Sequence, residues 1–168
     1  QRAGRVSEIA FTEFSDTASR VVLDTHAWVG FLDPSAYALG ARAIRTIQAA
    51  QQSGGMLVPD AAVWEISLKA GRSSMRLGLP LRGWIERARS APGTRMVPFT
   101  LELMVRSAEL GTGAPNDPFD RAMIVTAIAA GAPLVTADRK ILAWAKASGM
   151  LRVVPARPGC VEYQCGLF

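Results

Sequence analysis

The sequence predicts an α/β domain whose central parallel sheet is flanked by helices. Short apolar runs alternate along the chain with longer stretches of helical period, and Gly, Pro and Ser clusters separate them. Two of the runs, Val21-Val22-Leu23 and Leu134-Val135-Thr136, are followed at once by a carboxylate or reach one two residues on. Strands separated by helical crossovers pair in parallel and are buried on both faces, so their sequences read as unbroken apolar runs. Ligand sites in such sheets lie at the carboxyl ends of the strands, near a switch in strand order.

Each element has its own local reason. Residues 1–19 are polar without a sustained period and read as an extension. Residues 20–24 form a buried strand closed by Asp24. A short helix over 27–32 is ended by Asp33-Pro34. A longer helix runs from about Ser35 to Gln52, with Leu39, Ala43, Ile44 and Ile47 on one face. Ser53-Gly54-Gly55 stops it, and 56–58 is a short strand. Asp60 is placed as the N-cap of the next helix, whose stripe is Val63, Ile66 and Ala70 and whose end is Gly71. Pro80 suits the first turn of a helix through about Ser90. Residues 95–99 form a strand, and Thr100 caps a helix over 101–110. After a Gly/Pro loop come a helix over 118–130, a strand over 134–136, a helix over 138–148 and a last strand over 151–154. The domain is therefore expected over 20–155, with 156–168 as an irregular tail.

Composition narrows the classes. A chain of 168 residues, 49% hydrophobic and 20% charged, forms a sizeable core and is not disordered. No window approaches a membrane span. The cytoplasm is the default location in the absence of a signal-peptide pattern. One histidine and two cysteines, Cys160 and Cys165 close together in the tail, exclude a zinc-type ligand set. The cysteines read as free thiols, with a tail disulfide as the alternative.

The net charge of +5 is unevenly placed. From Lys69 to Arg95 there are seven cations against the single acid Glu86; the rest of the chain carries twelve cations and thirteen acids. One segment supplies the whole excess. Arginine predominates in it, and its planar fork suits bidentate contact with phosphate. A polyanion partner is favoured over a merely solvated face, with Lys69, Arg72, Arg76 and Arg121 as candidate contacts.

The acids then need explaining, because an ionised carboxylate among apolar residues is normally paired or bound to a cation. Asp24 fits a helix cap, a role compatible with metal ligation. Glu65, between Trp64 and Ile66, fits an ion pair with Lys69 four residues on, yet its flanks imply a covered face. Asp117 caps the helix that Pro118 opens, whereas Asp120 faces the Ile124/Ala127/Ile128 stripe and is the better metal-facing member. Asp138 starts a helix, with Thr136 able to hydrogen-bond a carboxylate. His26 beside Asp24 reads as structural or supporting. The four tryptophans read as core or interface. Together Asp24, Glu65, Asp120 and Asp138 would make an all-oxygen site for Mg²⁺ or Mn²⁺.

The strings Val22-Leu23-Asp24-Thr25-His26, Trp64-Glu65-Ile66-Ser67-Leu68-Lys69, Asp117-Pro118-Phe119-Asp120-Arg121 and Val135-Thr136-Ala137-Asp138 resemble the PIN-domain family over about residues 20–155. The nearest likeness is to the VapC toxins of bacterial type II toxin–antitoxin systems. The resemblance implies a PIN-like fold and an endoribonuclease dependent on Mg²⁺ or Mn²⁺. Its acidic quartet would fall on Asp24, Glu65, Asp120 and Asp138, with Asp117, Thr136 and Thr25 in support. It further implies an RNA substrate, a homodimer and a VapB-type antitoxin. A haloacid-dehalogenase-like phosphatase fails at its first motif, because His26 stands where a second aspartate is needed. A PIN-like scaffold without catalysis is the remaining alternative.

Overall fold

The computed structural model describes residues 19–158. Along the chain the elements are β1 (Val21–Leu23), α1 (Thr25–Leu32), α2 (Ala41–Gln52), β2 (Met56–Pro59), α3 (Asp60–Gly71), α4 (Leu81–Arg89), β3 (Thr94–Val97), α5 (Leu101–Ala108), α6 (Pro118–Ala130), β4 (Leu134–Thr136), α7 (Arg139–Ser148) and β5 (Val153–Pro155). The strands form one sheet in the order β3-β2-β1-β4-β5. Every neighbouring pair is parallel, as the apolar runs and helical crossovers predict.

The strand order sets where a site can form. The chain builds outward from β1 to β2 and β3, then returns to place β4 on the other side of β1. The switch point therefore lies between β1 and β4. There Val22 pairs with Leu134 and Leu23 with Val135, so the residues that follow, Asp24 and Thr136, emerge side by side. The Asp24 N–H donates to the Val135 carbonyl at 3.1 Å.

The core lies on both faces of this sheet. Val22, Leu23, Leu57, Val58, Leu134 and Val135 are fully buried, with Trp28, Ile47, Ile66, Met123, Ile124 and Ile141 packed over them from the helices. Trp28 meets Trp84 edge to face at 5.3 Å, joining α1 to α4. Helices α6 and α7 end on Gly131 and Gly149 in the left-handed conformation (φ 60° and 66°), where a side chain would be strained. Among the described residues, no helix is long and apolar enough to cross a membrane.

Several expected boundaries shift by one or two residues: α1 begins at Thr25 rather than 27, β3 spans Thr94–Val97 rather than 95–99, α5 ends at Ala108 rather than 110, and Pro80 is the N-cap of α4. Three other shifts have a clear local reason. The second helix starts at Ala41, not near Ser35, because Asp33 accepts from the Ser35 N–H and hydroxyl and ties that stretch into a turn. Gly40 then donates its N–H to the Ala156 carbonyl at 2.8 Å, which fixes the chain before the helix begins. Asp60 occupies the first turn of α3, and the cap position falls on Pro59, with no capping side chain. The last strand lies at Val153–Pro155, in register with Leu134–Thr136 rather than two residues earlier. Cys160 and Cys165 lie outside the described residues.

Candidate active site

Four local folding decisions deliver carboxylates to the switch point. Asp24 leaves β1 and caps α1, accepting from the Ala27 N–H at 2.7 Å. Asp138 follows β4 and caps α7, accepting from Lys140 and Ile141 at 2.7 and 3.0 Å. Asp117 caps α6 through the N–H groups of Phe119 and Asp120, leaving Asp120 on the first turn. Glu65 lies within α3, the helix that follows β2. Capping accounts fully for where Asp24, Asp117 and Asp138 sit. It does not account for Asp120 or Glu65.

Two threonines hold this arrangement. The Thr136 side chain hydrogen-bonds Asp24, while its hydroxyl accepts from the Asp138 N–H at 3.0 Å. One buried hydroxyl thus links the two acids that flank the switch point. Thr25, also buried, donates to Glu65 Oε2 at 2.5 Å and ties α1 to α3. The other Glu65 oxygen is paired with Lys69 at 2.5 Å, the i,i+4 contact expected from the sequence.

The electrostatics report how crowded the acids are. Burial pushes the Asp24 carboxyl up, opposed by hydrogen bonds from Thr136 and the Ala27 and Ala137 N–H groups and by the charge of His26. Burial also raises Asp120, and the negative charges of Asp138, Asp117, Glu65 and Asp24 push it further, to about 7. Asp120 therefore senses every other acid of the group. Among the described residues, however, no three acidic, histidine or cysteine side chains already converge as a finished metal cage. The carboxylates of Asp24, Glu65, Asp117 and Asp138 are engaged instead with threonine, lysine or backbone partners. Their chemistry still fits a hard divalent cation: the donors are all oxygen, mostly half-buried or buried, and destabilised by like charge.

The remaining candidates separate. Lys69 is engaged with Glu65. Arg121 donates from Nε to the Pro115 carbonyl and from Nη1 to the Ser107 carbonyl, both at 2.6 Å, clamping the connection between α5 and α6. Only its other N–H donors are left for an outside partner. Arg72 and Arg76 are exposed beyond the end of α3. Trp28, Trp84 and Trp144 are buried, whereas Trp64 is 58% exposed and stands edge-on to Phe119 at 4.9 Å.

One feature near the acids has no local sequence signal. A cavity of about 320 Å³ opens beside Asp138, between His26, Tyr37, Leu39 and Arg157. His26 meets Tyr37 edge to face at 4.8 Å. Tyr37 and Arg157 reach this place only because the stretch before α2 is pinned to the chain after β5.

A parallel α/β sheet with acidic side chains near its switch point is a common ligand-binding architecture, and the sequence match specifies the family. The chain belongs to the PIN domain family, whose model matches residues 21–147. It is similar to the ribonuclease VapC22 of Mycobacterium tuberculosis, with 28% identity over 122 residues, covering 72% of this chain and 88% of that protein. Among solved structures, the fold is similar to VapBC2 from Rickettsia felis, captured on a DNA fragment from its promoter. The TM-score is 0.58 at 16% identity, covering 82% of this chain and 98% of that one. FitAcB from Neisseria gonorrhoeae is similar at a TM-score of 0.53 and 17% identity, covering 79% and 95%.

The raised proton affinity of Asp120 makes a pH prediction. In the folded, metal-free protein Asp120 keeps its proton up to about pH 7, whereas an unfolded aspartate loses it near 4. Between those values the folded state binds the extra proton, so stability falls as pH rises through that window. Asp120→Asn cannot ionise and escapes this loss. In EDTA its melting temperature should exceed that of the parent by a few degrees at pH 8, on the order of 1 kcal/mol, and match it near pH 4. An equal difference at both pH values contradicts the assignment.

Proposed function

We propose that this protein is a metal-dependent endoribonuclease, the toxin of a toxin–antitoxin pair, acting in the cytoplasm. The observation that carries the reading is the effect of four other acids on Asp120. A fold with no use for a cation gains nothing from gathering like charges at its switch point, and acids about 4 Å apart repel by roughly 4 kcal/mol even at an effective dielectric of 20. The family and the ribonuclease relative support the same reading. We assign the nuclease domain to residues 20–155, with 1–19 and 156–168 as flanking segments.

Asp24, Glu65, Asp120 and Asp138 would hold Mg²⁺ or Mn²⁺. Such an ion supplies positive charge against the scissile phosphodiester and acidifies water. The chain's own residues do the rest. Thr136 fixes the Asp24 carboxylate against the start of α7, and Thr25 fixes Glu65 against α1. Asp117 sets the first turn of α6 and so the direction of Asp120. In the metal-free protein Asp120 keeps its proton up to about pH 7, and a cation held there would displace it. Lys69 partly neutralises Glu65.

The RNA would be steered by the basic stretch after α3. Arg72 lies about 10 Å along the helix axis from Glu65, at 1.5 Å per residue, and Arg76, Arg82 and Arg87 continue the exposed positive surface. A homodimer and a VapB-type antitoxin complete the proposed partners. The solved VapBC2 assembly supports the antitoxin. Exposed Trp64 and Leu68 on α3, with Leu101, Met104 and Val105 on α5, supply apolar area for a second copy. The grip of Lys69 on Glu65 favours a second reading, a PIN-like RNA-binding or protein-interaction module without catalysis.

Asp24→Ala decides between them. It should lower Mg²⁺-dependent RNA cleavage on the order of 100-fold or more while circular dichroism and melting remain those of a folded protein. Full activity in that variant, or undiminished cleavage in excess EDTA, refutes the metal nuclease. The basic surface makes a separate prediction. In Arg72→Ala/Arg76→Ala the slope of log affinity for single-stranded RNA against log salt should become shallower by about 0.7 per residue lost. An unchanged slope removes these two arginines from the RNA path.

A further inference from the structure

We propose that the cavity beside Asp138 is a nucleobase subsite, which seats the base next to the scissile phosphate of the RNA strand. The inference rests on the nuclease reading and extends it to substrate recognition. The place is the first argument. Asp138 forms part of its wall, and His26, another wall residue, follows Asp24 by two positions, with its charge acting on that carboxylate. A base seated here is therefore within one nucleotide of the acids.

The chemistry of the walls is the second argument. Ala27, Leu39, Ala137 and Ala156 give an apolar lining, and His26, Tyr37 and Arg157 give a polar rim. A volume of about 320 Å³ admits a base together with part of its ribose; it stands at the small end of the range for ligand sites, about 300–1,000 Å³. The edge-to-face contact of His26 with Tyr37 leaves the faces of the edge-on ring free of its partner. Proteins that bind unpaired RNA stack splayed bases on such rings. Arg157 is exposed at the rim, and among the described residues it has no ion pair or hydrogen bond. It is free to meet the phosphate on the far side of the base.

The position of the cavity in the fold is the third argument. Its walls come from four separate stretches: the start of α1, the turn before α2, the β4–α7 junction and the chain after β5. The bond from the Gly40 N–H to the Ala156 carbonyl joins two of these stretches. The subsite is thus part of the same sheet edge that positions the acids.

The chain's only histidine makes the test direct, because His26 gives the single set of imidazole signals. Metal-free protein in EDTA, at fixed pH, is titrated with AMP or UMP while those proton signals are followed by NMR. A saturable ring-current shift is expected, with a dissociation constant on the order of 1 mM. Ribose 5-phosphate and inorganic phosphate should not reproduce it. Tyr37→Ala should weaken the effect about 5- to 100-fold, and Leu39→Trp, which fills the cavity without removing a polar group, should abolish it. Arg157→Ala should weaken AMP but leave adenosine unchanged.

Signals that stay still, or that move equally with ribose 5-phosphate, overturn the subsite. So does an unaltered shift in folded Leu39→Trp. A dinucleotide that binds no more tightly than a mononucleotide assigns the cavity to a free nucleotide and overturns its role on an RNA strand. Mg²⁺-dependent cleavage by the parent protein, measured alongside, separates the two readings. Cleavage without a His26 shift removes the subsite alone, whereas a shift without cleavage leaves a nucleotide site and overturns, with the nuclease reading, its place beside a scissile phosphate.

Discussion

Repulsion among carboxylates at the β1–β4 switch point is the constraint on which the rest of the structure turns. Asp24 is buried and Asp120 is half-buried, and Asp120 feels four further negative charges. Burial of that kind opposes folding unless something answers it. The chain answers locally with the Thr136 bond, the N–H groups of helix starts and the Lys69 ammonium. These partners hold the acids in place without discharging them. In the proposed reaction a divalent ion would supply the positive charge that these partners do not.

The fold makes this arrangement reproducible. Parallel pairing of β1 with β4 places Asp24 and Thr136 at one level, and the helix after each strand presents its first N–H groups to a carboxylate. The acids at these helix starts thus cap the helices and are brought together by the same geometry. Arg121 contributes from outside the group, tying the carbonyls of Ser107 and Pro115 so that the loop leading to Asp117 is held against α6.

Much of this was legible in the sequence because the signals are local. Asp117-Pro118 announces the start of α6 and Gly131 its end, and Leu134–Thr136 is bounded by Pro133 and Asp138. Asp24, Asp117 and Asp138 were legible as helix caps for the same reason: each stands at a strand end or helix start. The start of α2 was not, because Leu39 continues the apolar period backward while the Asp33–Ser35 turn prevents the helix from following it. The commitment of Arg121 to two carbonyls was also hidden, since an arginine beside an aspartate reads equally well as a phosphate contact. Tyr37 and Arg157 were invisible for a further reason. They lie far apart in the chain and meet only through tertiary packing, with no periodic or motif signal at either position.

Calorimetric titration of the metal-free protein with Mn²⁺, in buffers of different ionisation enthalpy, tests the central claim most directly. Asp120 holds its proton up to about pH 7, so a cation that displaces it must release that proton to the buffer. With Asp120 facing the cation, binding should strengthen as pH rises through this range, with proton release below it, and Asp120→Asn should lose both the affinity and the release. Mn²⁺ affinity independent of pH, or equal in the parent and Asp120→Asn, contradicts it.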